Sequence, residues 1–180
     1  MMKRRSVLRT IFSGLAAAAL GLAACSDSGA PTAPSGSSKF LGLGGSPSSS
    51  LIECSSSETQ SATSVIGLLG GTISVGGTSV VFPEGVLDNS TVELTVPASK
   101  YVEINVTVDG QPHFLFSAPV VVTIDYSRCT RNDLFSKTLS VWNIDPDSKA
   151  LLEDMGGLDD KLTQTITFTT DHFSGYAIAD

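Results

Sequence analysis

The chain has 180 residues, of which 41% are hydrophobic and 16% charged, and its formal charge is −7. That length suits one domain of ordinary size, and that composition excludes a wholly disordered chain. Without the segment ahead of Cys25, seven basic residues face eighteen acidic ones, a charge of −11, and so acidic a surface excludes DNA or RNA as a partner and repels anionic lipid headgroups.

The first 24 residues read as an address. Lys3, Arg4, Arg5 and Arg9 form a basic start, and a run of 12 apolar or small residues follows from Ile11 to Leu22. A helix needs about 20 residues to span a bilayer core, so this is a helical signal peptide and not a transmembrane span. It closes on Leu22-Ala23-Ala24-Cys25, which resembles the bacterial lipobox. That resemblance implies cleavage before Cys25, diacylglycerol on its sulfur and an acyl chain on the new amine, giving an exported protein whose first partner is the lipid bilayer. Arg4-Arg5-Ser6-Val7-Leu8-Arg9 also resembles a twin-arginine export signal. General secretion reads the same residues equally well, and the route stays open. Ser26 after the lipidated cysteine favours an outer membrane or the cell surface, with the inner membrane as the other destination.

Residues 25–60 form the tether. From Ser26 to Ser57 there are 12 Ser, 5 Gly and 3 Pro, a composition that cannot bury enough apolar surface to offset the entropy of ordering. A disordered linker is expected, with a reach of roughly 30 Å. The islet Lys39-Phe40-Leu41-Gly42-Leu43 is its only apolar stretch before residue 51.

Residues 61–180 change texture, and short β-branched runs recur between Gly, Pro, Asn and Asp. "GTISV" and "SVVFP" flank Gly76-Gly77, a two-residue hairpin pattern. "TVELTV" places Val92, Leu94 and Val96 on one face, and "YVEINVTV" directs Val102, Ile104, Val106 and Val108 inward. "HFLFS", "PVVVTIDY", "TLSVWNI", "KALLED", "QTITFTT" and "FSGYAIA" follow. No stretch after Ser57 carries a helical period. Many strands with turns every 8–12 residues predict an all-β fold, an antiparallel β-sandwich. The prolines at 83, 97, 112, 119 and 146 are expected at strand ends, and Trp142 in the core.

"LGGTISVGGTSVVFPEGVLDNSTVELTV", "FLFSAPVVVTIDY", "VWNI" and "DHFSGYAIA", in that order over about residues 62–180, resemble the ZU-five domains of netrin receptors, ankyrins and zonula-occludens proteins. The resemblance implies a β-sandwich that acts as an interaction or autoinhibition module, and so a binding role without naming the partner. In some family members His-Phe-Ser is a self-cleaving site. Carried over, Ser174 would attack the carbonyl of Phe173 and His172 would take its proton. The simpler expectation is one last strand, with Phe173 and Ala177 on one face and Tyr176 and Ile178 on the other.

Other chemistry is sparse. His113 and His172 are the only histidines, and no metal-binding or nucleophile-elbow motif accompanies them. "GLLGGTISVGG" lacks the Lys and Ser/Thr of a phosphate loop and reads as hairpin glycine. Asp145 and Asp147 could ligate calcium, as in a calcium-dependent carbohydrate-binding module, but "DPDSK" is also an ordinary turn in which Asp bonds its own backbone. The sequons at Asn89 and Asn105 are chance matches in a bacterial lipoprotein. With Cys25 acylated, Cys54 and Cys129 remain. In an oxidising compartment they are expected to form a disulfide. The sequence as a whole predicts a cell-envelope lipoprotein carrying a non-catalytic binding or structural sandwich. No cofactor is expected, and the partner is an envelope protein or a glycan.

Overall fold

In the computed structural model, residues 49–180 apart from Arg131 are described. The signal peptide, Cys25 and most of the tether lie outside the described residues. The strands are β1 (Gln60–Ile66), β2 (Gly71–Val75), β3 (Thr78–Phe82), β4 (Ser90–Val96), β5 (Glu103–Val108), β6 (Phe114–Asp125), β7 (Ser140–Ile144), β8 (Leu151–Gly156), β9 (Leu158–Asp160), β10 (Thr165–Phe173) and β11 (Gly175–Ala179). They make two antiparallel sheets packed as a sandwich, one in the order β1-β4-β5-β11-β7-β8 and the other β2-β3-β6-β10-β9. A single turn of 3₁₀ helix, Asn132–Ser136, lies between β6 and β7.

Period-2 alternation builds the core. Val92 and Leu94 of β4 and Ile104, Val106 and Val108 of β5 point inward and are buried, and Val102 just ahead of β5 is buried with them. They meet Val80, Val120, Val122, Ile124, Ile166 and Phe168 from the other sheet. Each such side chain, fully buried, stabilises by about 1.5–3 kcal/mol. Phe82, Phe116 and Phe173 add an edge-on cluster with centroids 4.6 to 6.0 Å apart. Gly76 and Gly77 join β2 to β3 with φ of 55° and 81°. Both central residues of a tight hairpin turn need positive φ, which is why two glycines stand there.

Four expectations change. Ser50–Cys54, expected in the tether, belongs to the folded body. The Ser50 and Asp180 backbones bond to each other at 3.3 and 3.0 Å, Ile52 donates to the Ile178 carbonyl at 3.0 Å, and Cys54 donates to that of Lys100 at 2.7 Å. Ile52 is buried by this pairing, and the backbone bonds on either side of it order a Ser-rich segment. Second, Pro119 is not at a strand end, because β6 runs through it. The register against β10 jumps from Val120↔Thr170 to Leu115↔His172, so Pro119 sits in a bulge where its missing N–H leaves no ladder bond unmade.

Third, Trp142 is half-buried rather than core. Its neighbours Val141 and Asn143 turn inward, and alternation sends the indole outward in register with Ala177. Gly175, Ala177 and Ala179 give that face of β11 little side-chain bulk. Fourth, "HFSGYAIA" is not one strand. Phe173 ends β10 in the five-stranded sheet, Gly175 begins β11 in the other, and Ser174 is the corner between them.

Candidate functional site

At that corner β10 delivers Thr170 and His172, β7 delivers Asn143, and β11 delivers Tyr176. The ring of His172 is fully engaged. Its Nε2 lies 3.1 Å from the Asn143 side-chain amide, and its Nδ1 lies 3.1 Å from a carboxylate oxygen of Asp171. A carboxylate only accepts, so Nδ1 carries the proton and Nε2 accepts from Asn143 in the neutral ring. The Asn143 Oδ1 is then buried without a partner. Turning the amide over would pair Oδ1 with a protonated Nε2, and in either case Nε2 is occupied.

The hydroxyls of Thr170 (2.8 Å) and Tyr176 converge on the His172 carbonyl, one residue upstream of the carbonyl that Ser174 would have to attack. Burial pushes the Tyr176 phenol up to about 12, against the opposing hydrogen bonds of Thr170 and Ser174. The Ser174 hydroxyl itself points to the Gly175 carbonyl at 3.4 Å. His172 and Ser174 are therefore neighbours in sequence whose reactive atoms are turned to different partners. The residues 172–174 also carry no positive φ.

A cleft of about 230 Å³ opens beside this corner, lined by Asn105, Thr107, Pro112, His113, Pro146 and Ser174. The second histidine thus lies nearer the cleft than the first. The turn Asp145–Lys149 borders it. Asp145 accepts from the backbone of Ser148 at 2.7 Å, the hydroxyl of Ser148 at 2.8 Å and the backbone of Asp147 at 3.1 Å. The Ser148 N–H, above all, holds the Asp145 carboxyl below the usual carboxylate range. This self-capped turn is what the pattern Asp-Pro-Asp-Ser builds. Among the described residues no group of three potential metal ligands assembles. From the same turn Lys149, at φ 61°, reaches Glu103, whose side chain is only 2% exposed.

A second centre lies at the other end of β11. Cys54 and Cys129 are joined by a disulfide across 75 residues of sequence, with Cα atoms 4.8 Å apart. Beside it Arg128 donates to the carbonyls of Ser55, Ser99 (3.0 Å) and Tyr101. Lys137 pairs with Asp180 and Ser50 Oγ donates to the same carboxylate at 2.7 Å. Here the bridge, the arginine and the carboxylate all fasten residues 50–55 to the rest of the described body. The two cysteines are legible in the sequence by elimination, and Arg128 is not. A cation next to a bridging cysteine was the only hint, and nothing local told which carbonyls it would meet. No known protein family matches this chain, and no curated protein matches it significantly.

Proposed function

We propose that this protein is a bacterial cell-envelope lipoprotein, anchored through acylated Cys25, whose ZU-five-like sandwich is a non-catalytic binding or structural module. The carrying observation is Leu22-Ala23-Ala24-Cys25 behind a basic start and a short apolar run. Export is supported independently by the Cys54–Cys129 bridge, since structural disulfides belong to oxidising compartments. A load-sharing attachment fits the same picture: three different bonds fasten residues 50–55, where a pull on the tether would reach the domain. A non-catalytic role is supported by the engagement of both His172 nitrogens away from Ser174. An envelope protein or glycan is the partner this reading expects, at an outer membrane or the cell surface.

Intact-mass analysis of the membrane-extracted protein tests the proposal. A mass from Cys25 onward plus two or three acyl chains is expected, less two hydrogens for the bridge. Cys25→Ala should leave an uncut precursor or release the protein from the membrane fraction. Normal processing and retention of that variant would defeat the anchoring.

A further inference from the structure

The cleft beside the corner at Ser174 has polar groups to spare. β5 presents Asn105 and Thr107 to the outer face of the six-stranded sheet, because Ile104, Val106 and Val108 take the inner one. Both are half-buried, and the connection from β5 to β6 brings the exposed His113 beside them. Among the described residues none of these three side chains has a hydrogen-bond partner. Gly175, the register partner of Asn105, lies in the lining with them. A Cβ on Gly175 would stand 3.3 Å from the Asn105 Oδ1, so the glycine keeps that amide open to the cleft. Pro112 and Pro146 add rigid apolar walls. The cleft opens at the Gly175 end of β11, and residues 50–55, which bond at Ile178 and Asp180, leave it uncovered.

Size, charge and strand order select the ligand. At about 230 Å³ the cleft is smaller than the roughly 300–1,000 Å³ of sites for drug-sized molecules, and it suits one sugar ring. Its lining contains no Asp, Glu, Lys or Arg. The bordering turn carries Asp145 and Asp147, and its Lys149 is held by Glu103, so an anion is repelled and a neutral ligand accepted. A peptide main chain finds no free edge there, because Asn105 is paired with Thr95 of β4 on one side and with Gly175 of β11 on the other. Recognition is left to side chains that both donate and accept: an amide, a hydroxyl and an imidazole. We infer that this cleft binds one neutral pyranose unit of a glycan. The Asn105 amide takes two adjacent sugar hydroxyls, Thr107 and His113 take others, and the C–H face of the ring rests on the prolines. Recognition is direct and not through calcium, since the Asp145 carboxylate is engaged by its own turn. The inference rests on reading the sandwich as a binding module, and it names a glycan as the ligand and the place where it binds.

The test uses the purified full-length protein in a detergent without a sugar headgroup, with saturation-transfer NMR against glucose, galactose, mannose and N-acetylglucosamine. At least one should bind with a Kd of about 1–10 mM, the range of a single ring-sized ligand. Its uronic acid should bind at least fivefold more weakly, and EDTA should change nothing. Asn105→Ala should weaken binding at least tenfold. Thr107→Tyr, which places a bulky side chain on an outward-facing strand position, should abolish it while thermal unfolding stays within about 3 °C of wild type. If Asn105→Ala fails to fold, Thr107→Tyr carries the test. No binding of any of the four sugars at about 50 mM would overturn the inference. So would binding that Thr107→Tyr leaves unchanged, a preference for the uronic acid, or binding that EDTA abolishes. The intact-mass result does not depend on the sugar, and the titration does not depend on the anchor, so the two readings fail separately.

Discussion

Replacing both Cys54 and Cys129 by serine tests how the domain holds the segment ahead of β1. The double variant avoids leaving one buried thiol unpaired. The bridge closes a loop of 75 residues, and the chain-entropy relation gives about 15 cal/mol/K for that loop, or about 4.5 kcal/mol at 25 °C. The native contacts should survive, because Arg128, the Ser50–Asp180 pair and Ile52 hold the same segment. The cost then falls on the unfolded ensemble. An ordered body of about 130 residues unfolds with roughly 270 cal/mol/K, so the expected loss is about 16 °C in Tm. Circular dichroism on heating reads it, and wild type unfolded after full reduction should match the variant. The denaturant slope should rise slightly, because an uncrosslinked chain exposes more surface. A loss below about 5 °C would refute the reasoning and mean that the crosslink hardly restrains the unfolded chain.

Arg128→Ala should cost about 2–4 kcal/mol, since it removes charge-assisted bonds to three carbonyls. Arg128→Lys should recover less than half of that in urea denaturation, because a single ammonium cannot span all three. Lys149→Met should destabilise by about 3 kcal/mol by leaving the buried Glu103 carboxylate without its ion-pair partner and with only the field of Arg128, and Glu103→Gln in the same chain should restore most of it. Tyr176 has its phenol raised to about 12 by burial, so the folded state keeps a proton that the unfolded state gives up near pH 10. The share that Tyr176 contributes, roughly 2–3 kcal/mol, should be lost as pH rises from about 10 to 12; burial and Asp159 raise the Tyr126 phenol as well, so Tyr176→Phe should make that limb of the profile shallower without abolishing it. Lys137 and Ser50 hold the Asp180 carboxyl below the usual range, so its contribution is present above about pH 4 and is lost on acidification below that. The protection of the Ile52 amide, its exchange rate relative to the intrinsic rate at the same pH, should fall there in wild type, and in Asp180→Asn already at neutral pH.

How far the sequence carried the fold can be seen at particular residues. Gly76-Gly77 between two alternating runs was enough to place the β2–β3 hairpin, because the turn chemistry is local. Val92, Leu94, Ile104 and Val106 were legible because period-2 burial repeats over several residues. Trp142 was not, since a lone large side chain in a five-residue strand does not mark its own face, and only the register with Ala177 shows which one it occupies. Pro119 failed for a related reason: a bulge belongs to the pairing of β6 with β10, and neither strand alone encodes it. Ile52 lay in a serine-rich window whose average hid it. In each case the missing information was a partner distant in sequence.

The corner at Ser174 turns the remaining question about His172-Phe173-Ser174 into a matter of sheet order. β11 is flanked by β5 on one side and β7 on the other, and every one of its five residues is buried. Cleavage before Ser174 would therefore cut the corner between β10 and β11 and leave whole the strand that joins the β1-β4-β5 half of the sheet to the β7-β8 half. The product Ser174–Asp180 would remain clamped by two ladders, by the Lys137–Asp180 pair and by the Ile52–Ile178 bond. A native gel or a size measurement would miss it, so a denaturing mass is the measurement that bears on the question. The geometry sets the expected result. His172 Nε2 is held by Asn143 and the Ser174 hydroxyl by the Gly175 carbonyl, so the mature chain should run unbroken to Asp180 after denaturation, and Asn143→Ala, which frees Nε2, should leave it unbroken. A species shortened by seven residues in wild type, restored to full length by Ser174→Ala, would mean that the corner passes through a conformation in which those two hydrogen bonds are exchanged for one between His172 and Ser174.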